Sequence, residues 1–240
     1  MRRLLPTRMN VIAAFVMALA LIAAPGRCRA QRAALREVHS VGTAGGGLLI
    51  GIPQGEFQQH VNAAAGFGGF VNVNVDRAGM TGIRLEGSFL VYDHLHDVAY
   101  LSGGYYSYPI GLTTSSYIAS LRAGPQLTVG QGPLRLYGFG LGGVSYFATT
   151  TSFDDNCGCG SYASTTEWDD VALAWEAGGG MQLALGRGHN PVLLDLGARY
   201  LHNGRVTYVP AQSLAGGTLN PVASEANLVV LQLGVSVGLR

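Results

Sequence analysis

The chain has 240 residues, enough for one β domain plus an export segment. Only 12% are Asp, Glu, Lys or Arg while 36 are glycine, a pairing that argues against an ordinary soluble enzyme. The formal net charge is +1, and all fifteen basic residues are arginine.

The amino terminus reads as an address. Arg2, Arg3 and Arg8 precede the apolar run "VIAAFVMALALIAA", residues 11–24, and "CRA" supplies small residues at Cys28 and Ala30 for cleavage. That run is short for a transmembrane helix, and Arg27 stands where a lipidated Cys28 would need a small neighbour. Residues 1–30 are therefore expected to be a cleaved signal peptide, 31–42 a short polar lead and 43–240 the body. Without the signal the chain keeps ten Arg against fourteen acids, −4, so it lacks the basic field of a nucleic-acid binder.

Beyond residue 42 the dominant period is two, the spacing of strands with distinct faces. Eight segments are predicted, at roughly 44–52, 65–76, 81–92, 116–129, 134–148, 171–185, 191–203 and 226–239. In "TGIRLEGSFLVY", Arg84, Glu86 and Ser88 oppose Ile83, Leu85, Phe89 and Val91. In "SYIASLRAGPQLTV", Ser120, Arg122 and Gln126 oppose Tyr117, Leu121, Leu127 and Val129. "LRLYGFGLGGVSYF" has no readable phase. In "VALAWEAGGGMQLAL", Glu176 and Gln182 share a face with Ala and Gly, opposite Leu173, Trp175 and Met181. "PVLLDLGARYL" sets Asp195 and Arg199 against Val192, Leu194, Leu196 and Tyr200, and the last segment sets Gln232 and Ser236 against Leu231, Leu233 and Val235.

Connections alternate in length. "RAGM", "GQGP" and "GRGHN" are short, whereas about 53–64, 93–115, 149–170 and 204–225 are long, the layout of an eight-stranded antiparallel up-and-down transmembrane β-barrel. The long connections hold nine acids, Glu56, Asp93, Asp97, Asp154, Asp155, Glu167, Asp169, Asp170 and Glu225, against Arg205 alone. Arg77, Arg135, Arg187 and Arg240 sit toward the other end. Phe67, Phe89, Tyr117, Trp175 and Tyr200 fall near the long-loop ends of the apolar faces, as an interfacial girdle does.

An arginine facing lipid at mid-bilayer costs roughly 2–4 kcal/mol, so the charged face is expected to look inward. The inward set is Arg84, Arg122 and Arg199 with Glu86, Glu176 and Asp195. Eight strands enclose only enough room for side chains, so these six are expected to pair within a filled lumen. An ion path would need an open lumen instead. A soluble lipocalin-like barrel is the fold-level rival, but it would reverse the faces and leave an exterior poor in the charges that soluble surfaces carry.

The signal segment, the opening "GLLIGIPQGEF", "LDLGARY" and the closing "EANLVVLQLGVSVGL" resemble the opacity-type and OmpA-like small outer-membrane β-barrel proteins over nearly the whole mature chain. The resemblance implies insertion from the periplasm by the barrel assembly machinery, contact with outer-membrane lipid, short turns toward the periplasm and long loops outside. It implies a structural or surface-interaction role, with an unidentified extracellular ligand for the loops. The chain departs from the family by ending in Leu239 and Arg240 rather than an aromatic residue, and no peptidoglycan-binding domain follows the barrel.

Some barrels of this size are lipid A deacylases, whose resemblance would centre on a His followed two residues later by a nucleophilic Ser. Here "RYLHNG" has His202 but Gly204 at that place, so an acyl-transfer enzyme lacks its hydroxyl; Ser224 and Glu225 could approach His202 only through the last hairpin. "DHLHD" puts His94 and His96 on one side if extended, and "CGC" offers Cys157 and Cys159. Neither spacing matches a familiar zinc pattern, and neither a metal nor another cofactor is expected. A disulfide between Cys157 and Cys159 would close a very small, strained ring. The "GGG" runs at 45–47 and 178–180 lack the strand, loop and helix context of a phosphate cradle.

Overall fold

Alternation of large apolar with small or polar residues, interrupted every dozen or so residues by glycine-rich turns, leaves each strand one apolar face to cover. The computed structural model shows how the chain does so. It describes residues 41–103, 106–130, 132–154, 161–185, 192–208 and 222–239, and side chains over these except at 93–112, 153–154, 161–165 and 167. The predicted signal segment lies outside them.

The strands are β1 (Gly42–Gln54), β2 (Ala64–Asn74), β3 (Thr81–Gly103), β4 (Tyr106–Val129), β5 (Leu134–Asp154), β6 (Ser161–Ala184), β7 (Val192–Asn203), β8 (Arg205–Tyr208), β9 (Val222–Glu225) and β10 (Asn227–Leu239). A single 3-10 turn, Phe57–Gln59, follows β1. Eight strands close an antiparallel barrel in the order β1-β10-β7-β6-β5-β4-β3-β2, and β8 with β9 forms a separate two-stranded ribbon. Closure runs in unbroken register from Gly42 opposite Leu239 to Gln54 opposite Asn227, so no sheet edge is left along this seam.

At the short-turn end, the turn after β2 is closed by Gly79, whose φ of +67° suits a residue without Cβ, and by Asp76 Oδ1 accepting the Thr81 amide at 2.9 Å. That amide holds the Asp76 carboxyl below its ordinary pKa.

The faces are those that pattern and lipid cost predict. Leu173 is 81% exposed, Leu48 67% and Phe67 62%, whereas Arg84 and Asp195 are fully buried. The reversed, lipocalin-like arrangement is thereby excluded. On the outer wall Phe67, Phe89 and Tyr117 stack in sequence, with centroids 5.6 and 5.1 Å apart, and Trp175 lies 5.9 Å from Tyr200. β5, unreadable in phase, turns Tyr137, Leu141, Ser145 and Phe147 inward and leaves Leu136 and Val144 outside.

In two of the predicted long loops, about 93–115 and 149–170, the described residues are strand. β2 last pairs with β3 at Ala65 and Val91, but the β3–β4 ladder continues to Gly103 opposite Tyr106. The β4–β5 ladder reaches Gly111 opposite Asp154, and β5–β6 runs to Asp154 opposite Ser161, whereas β6–β7 stops at Ala174 and Asn203. A four-stranded sheet thus rises past the rim; β3 alone extends by roughly 35 Å at about 3.3 Å per residue. Residues 93–115 and 149–170 are rich in Thr, Tyr and Ser. A ladder already in register carries such residues onward where an isolated stretch of them reads as loop.

Candidate functional site

Inward positions fill the lumen in two layers. The layer nearer the short turns is charged and amide-rich. Arg84 donates to Glu86 through Nε at 2.7 Å and to Gln126 through Nη1 at 3.0 Å, and its Nη2 lies 2.6 Å from the same Glu86 carboxylate oxygen as an ion-pair contact. Its guanidinium lies 3.7 Å from the Phe70 ring centroid and 4.6 Å from that of Phe139, so aromatic faces cover what the carboxylate does not. Glu86 also pairs with Arg199, whose Nε lies 3.8 Å from Glu176; Glu176 in turn lies 3.3 Å from Arg122 Nε. Arg122 Nη2 donates to Ser88 at 2.8 Å.

Five of the six predicted lumen charges therefore form one chain of alternating sign: Arg84, Glu86, Arg199, Glu176, Arg122. Asp195 stands apart. Tyr137 Oη donates to its Oδ1 at 2.6 Å and Gln182 Nε2 to its Oδ2 at 2.9 Å, so it is held by neutral donors rather than by Arg199 on its own strand. Tyr137 was hidden in the strand of unreadable phase. Its room is made by Gly180 and Gly197, where an added Cβ would come within 2.7 and 2.8 Å of the hydroxyl. Tyr137→Phe leaves a buried carboxylate oxygen without its donor. It is expected to lower the unfolding free energy by about 1–3 kcal/mol. Urea titration of the detergent-embedded barrel reads this, and an unchanged midpoint would remove Tyr137 from the account.

The layer nearer the long loops is apolar, which the expectation of a lumen filled by paired charges did not include. Leu49, Leu90, Ile118, Phe147, Leu201, Leu228 and Val230 are buried together. Along β4 and β5 a ladder of hydroxyl pairs completes the wall: Ser120–Ser145, Ser116–Thr149 and Thr114–Thr151, at 2.9, 2.9 and 3.1 Å.

Above this layer the mouth is capped. Phe57 is fully buried, its ring 5.4 Å from Tyr92 and 5.2 Å from Tyr208, all edge to face. Tyr208 belongs to the β8–β9 ribbon, which Thr207 N ties to Asp170 Oδ2 at 2.8 Å and Gly204 N to the Leu173 carbonyl at 3.0 Å. Asn203 Nδ2 donates to the Ala226 carbonyl at 2.6 Å. Burial pushes the Tyr208 phenol above its ordinary pKa. Lower down, the space among Tyr137, Phe139, Arg199 and Gln232 has no room for a water molecule.

The alternative chemistries fall as follows. His202 lies against the Trp175 ring at 5.3 Å, while the Ser224 hydroxyl is buried and bonded to Tyr208 at 3.1 Å, so the two have different partners. His94 and His96 occupy alternate positions of β3, opposite Ser115 and Thr113; their side chains lie outside the described residues, as do Cys157 and Cys159 entirely. Among the described residues no three His, Cys, Asp or Glu side chains gather as a metal site.

No protein-family model matches the chain, and no curated protein matches it. Solved structures similar to it include the attachment invasion locus protein Ail of Yersinia pestis, at 13% identity, covering 83% of this chain and 99% of Ail, TM-score 0.43. OprG of Pseudomonas aeruginosa is 14% identical, with 84% and 97% covered and a TM-score of 0.40. Neisserial surface protein A is 12% identical, with 82% and 96% covered and a TM-score of 0.37. The architecture rests on the strand register itself: the chain is a closed, eight-stranded antiparallel barrel.

Proposed function

We propose that the chain is an integral outer-membrane barrel with a structural and surface-interaction role, exported through its first thirty residues and inserted by the barrel assembly machinery. The observation that carries the reading is the inside-out division of the wall. Large apolar side chains cover the outside, while six Arg, Glu and Asp side chains are buried within, an arrangement suited to hydrocarbon and costly in water. The sheet raised by β3–β6 is the natural recognition surface, because it projects a rigid scaffold beyond the lipid. Its end of the molecule carries the acidic excess, which favours a basic extracellular ligand over nucleic acid.

The test is electrophoretic and cellular. The barrel is expected in the outer-membrane fraction and should migrate faster unboiled than boiled. Replacing residues 95–112 with a short turn should leave that migration intact while abolishing any ligand binding to whole cells. A soluble periplasmic chain without heat-dependent migration would overturn the membrane reading. Steady conductance in planar bilayers would replace the interaction role with a pore, and release of lipid acyl chains would replace it with an enzyme.

A further inference from the structure

Above the barrel rim the sheet raised by β3–β6 has two edges, and they differ. The β8–β9 ribbon lies against the β6 edge: the Gly204 amide donates to the Leu173 carbonyl at 3.0 Å and the Thr207 amide to Asp170 Oδ2 at 2.8 Å. The β5–β6 ladder also shifts register between Thr149 and Thr150 and again between Phe153 and Asp154, and such irregularities twist an edge away from a flat template. The β3 edge has neither device. β2 stops pairing at Val91, and from Asp93 opposite Ser116 to Gly103 opposite Tyr106 the β3–β4 ladder runs without a shift. Among the described residues β4 is the sole strand partner of this stretch. In an antiparallel pair alternate residues turn their N–H and C=O groups toward the neighbour. Half of the backbone groups of Asp93–Gly103 therefore face away from β4, over roughly 35 Å.

Charge selects the occupant of that edge. Asp93 and Asp97 stand four positions apart, on one face of the strand. The ladder sets Ser116 and Leu112 opposite them, and the single basic residue of β4, Arg122, pairs with Glu176 in the lumen, so β4 meets neither acid with a cation. A second copy of the chain would bring its own Asp93 and Asp97, and like charges across paired strands destabilise them. Two copies upright in one membrane also run β3 in the same direction, which leaves only parallel pairing, the weaker kind. A strand with Lys or Arg at two positions four apart meets both acids instead.

We infer that the β3 edge from Asp93 to Gly103 takes an extended segment of another protein as an added strand, with Lys or Arg set against Asp93 and Asp97. The inference rests on the surface-interaction role proposed above and names its mode of contact. Backbone hydrogen bonds hold the segment whatever its sequence, and the two acids choose its charge pattern.

The probe is a fluorescent synthetic peptide alternating Thr and Val, with Lys at two positions four apart, added to the full barrel in phosphatidylcholine vesicles, which carry no net charge. Anisotropy is expected to show saturable binding, lost on N-methylation of the peptide backbone and weakened at least about threefold when Glu replaces Lys. Asp93→Lys/Asp97→Lys should reverse the order of the Lys and Glu peptides while heat-dependent migration is unchanged. Should that variant lose the migration, Asp93→Asn/Asp97→Asn is read in its place and is expected to abolish the preference. Equal binding of the N-methylated peptide overturns strand addition, and an unchanged preference in the folded variant overturns the assignment to this edge. Association of two barrels that the peptide displaces overturns the choice of partner in favour of a second copy. If no peptide binds while replacement of residues 95–112 still abolishes ligand binding to whole cells, the edge falls and the surface-interaction reading stands. If both fail, that reading falls with it.

Discussion

Arg199→Leu is expected to lower the unfolding free energy of the barrel by about 3–5 kcal/mol, the range for removing one partner from a buried ion pair. Arg199 sits at the middle of the alternating chain, between Glu86 and Glu176. Without it a net charge of −1 remains in an enclosed space. Arg84 and Arg122 lie at the ends of the chain, each against one glutamate, and cannot span both. Leu196→Val on the outer face of the same strand should cost less than about 1.5 kcal/mol, since the detergent or lipid of the measurement fills the space it vacates. Adding Glu86→Gln to Arg199→Leu restores neutrality, so the double variant should lose less than the sum of the single losses. Reversible urea unfolding in detergent or vesicles measures all four. Strict additivity, or equal effects of Arg199→Leu and Leu196→Val, would reject the paired lumen.

Phe57→Ala should cost about 3–5 kcal/mol, the range for deleting a buried aromatic ring, because the 3-10 turn contributes this one buried side chain to the cap. Tyr92 and Tyr208 lose their common neighbour with it. Protease sensitivity in the β8–β9 ribbon should rise as the cap loosens. Conductance should not, since the charged layer below remains filled. Channel openings in the Phe57→Ala variant would show that the cap, and not that layer, seals the barrel.

The legible parts of this fold are those where one face carries large apolar residues and the other small or polar ones. β10 and the barrel part of β3 are of this kind, and their polar residues, Gln232 and Ser236 in the one and Arg84 and Glu86 in the other, are placed inward by the pattern alone. β5 failed because its pattern is inverted. Tyr137, Phe139 and Leu141 point inward, while Gly138, Gly140 and Gly142 occupy the outer face, so size no longer marks the outside. The principal donor to Asp195 lay in that strand. The apolar upper lumen was hidden for a related reason. Leu90, Ile118, Leu201 and Leu228 blur the division near the strand ends, and what they pack beneath comes from Phe57 and Tyr208, in segments without any period. The raised sheet is not legible because residues 93–115 and 149–170 are rich in Thr, Tyr and Ser and extend as strand by continuing a ladder already in register.

The alternating order of the five-membered chain has an electrical consequence. With Asp195 included, three positive and three negative groups sit within one narrow cylinder and sum to zero. An ion approaching along the axis gains no net attraction that would offset the loss of its water shell. A lumen lined by one sign of charge would lower that barrier for one kind of ion. This one favours neither sign, so its charge is expected to draw neither cations nor anions into the lumen.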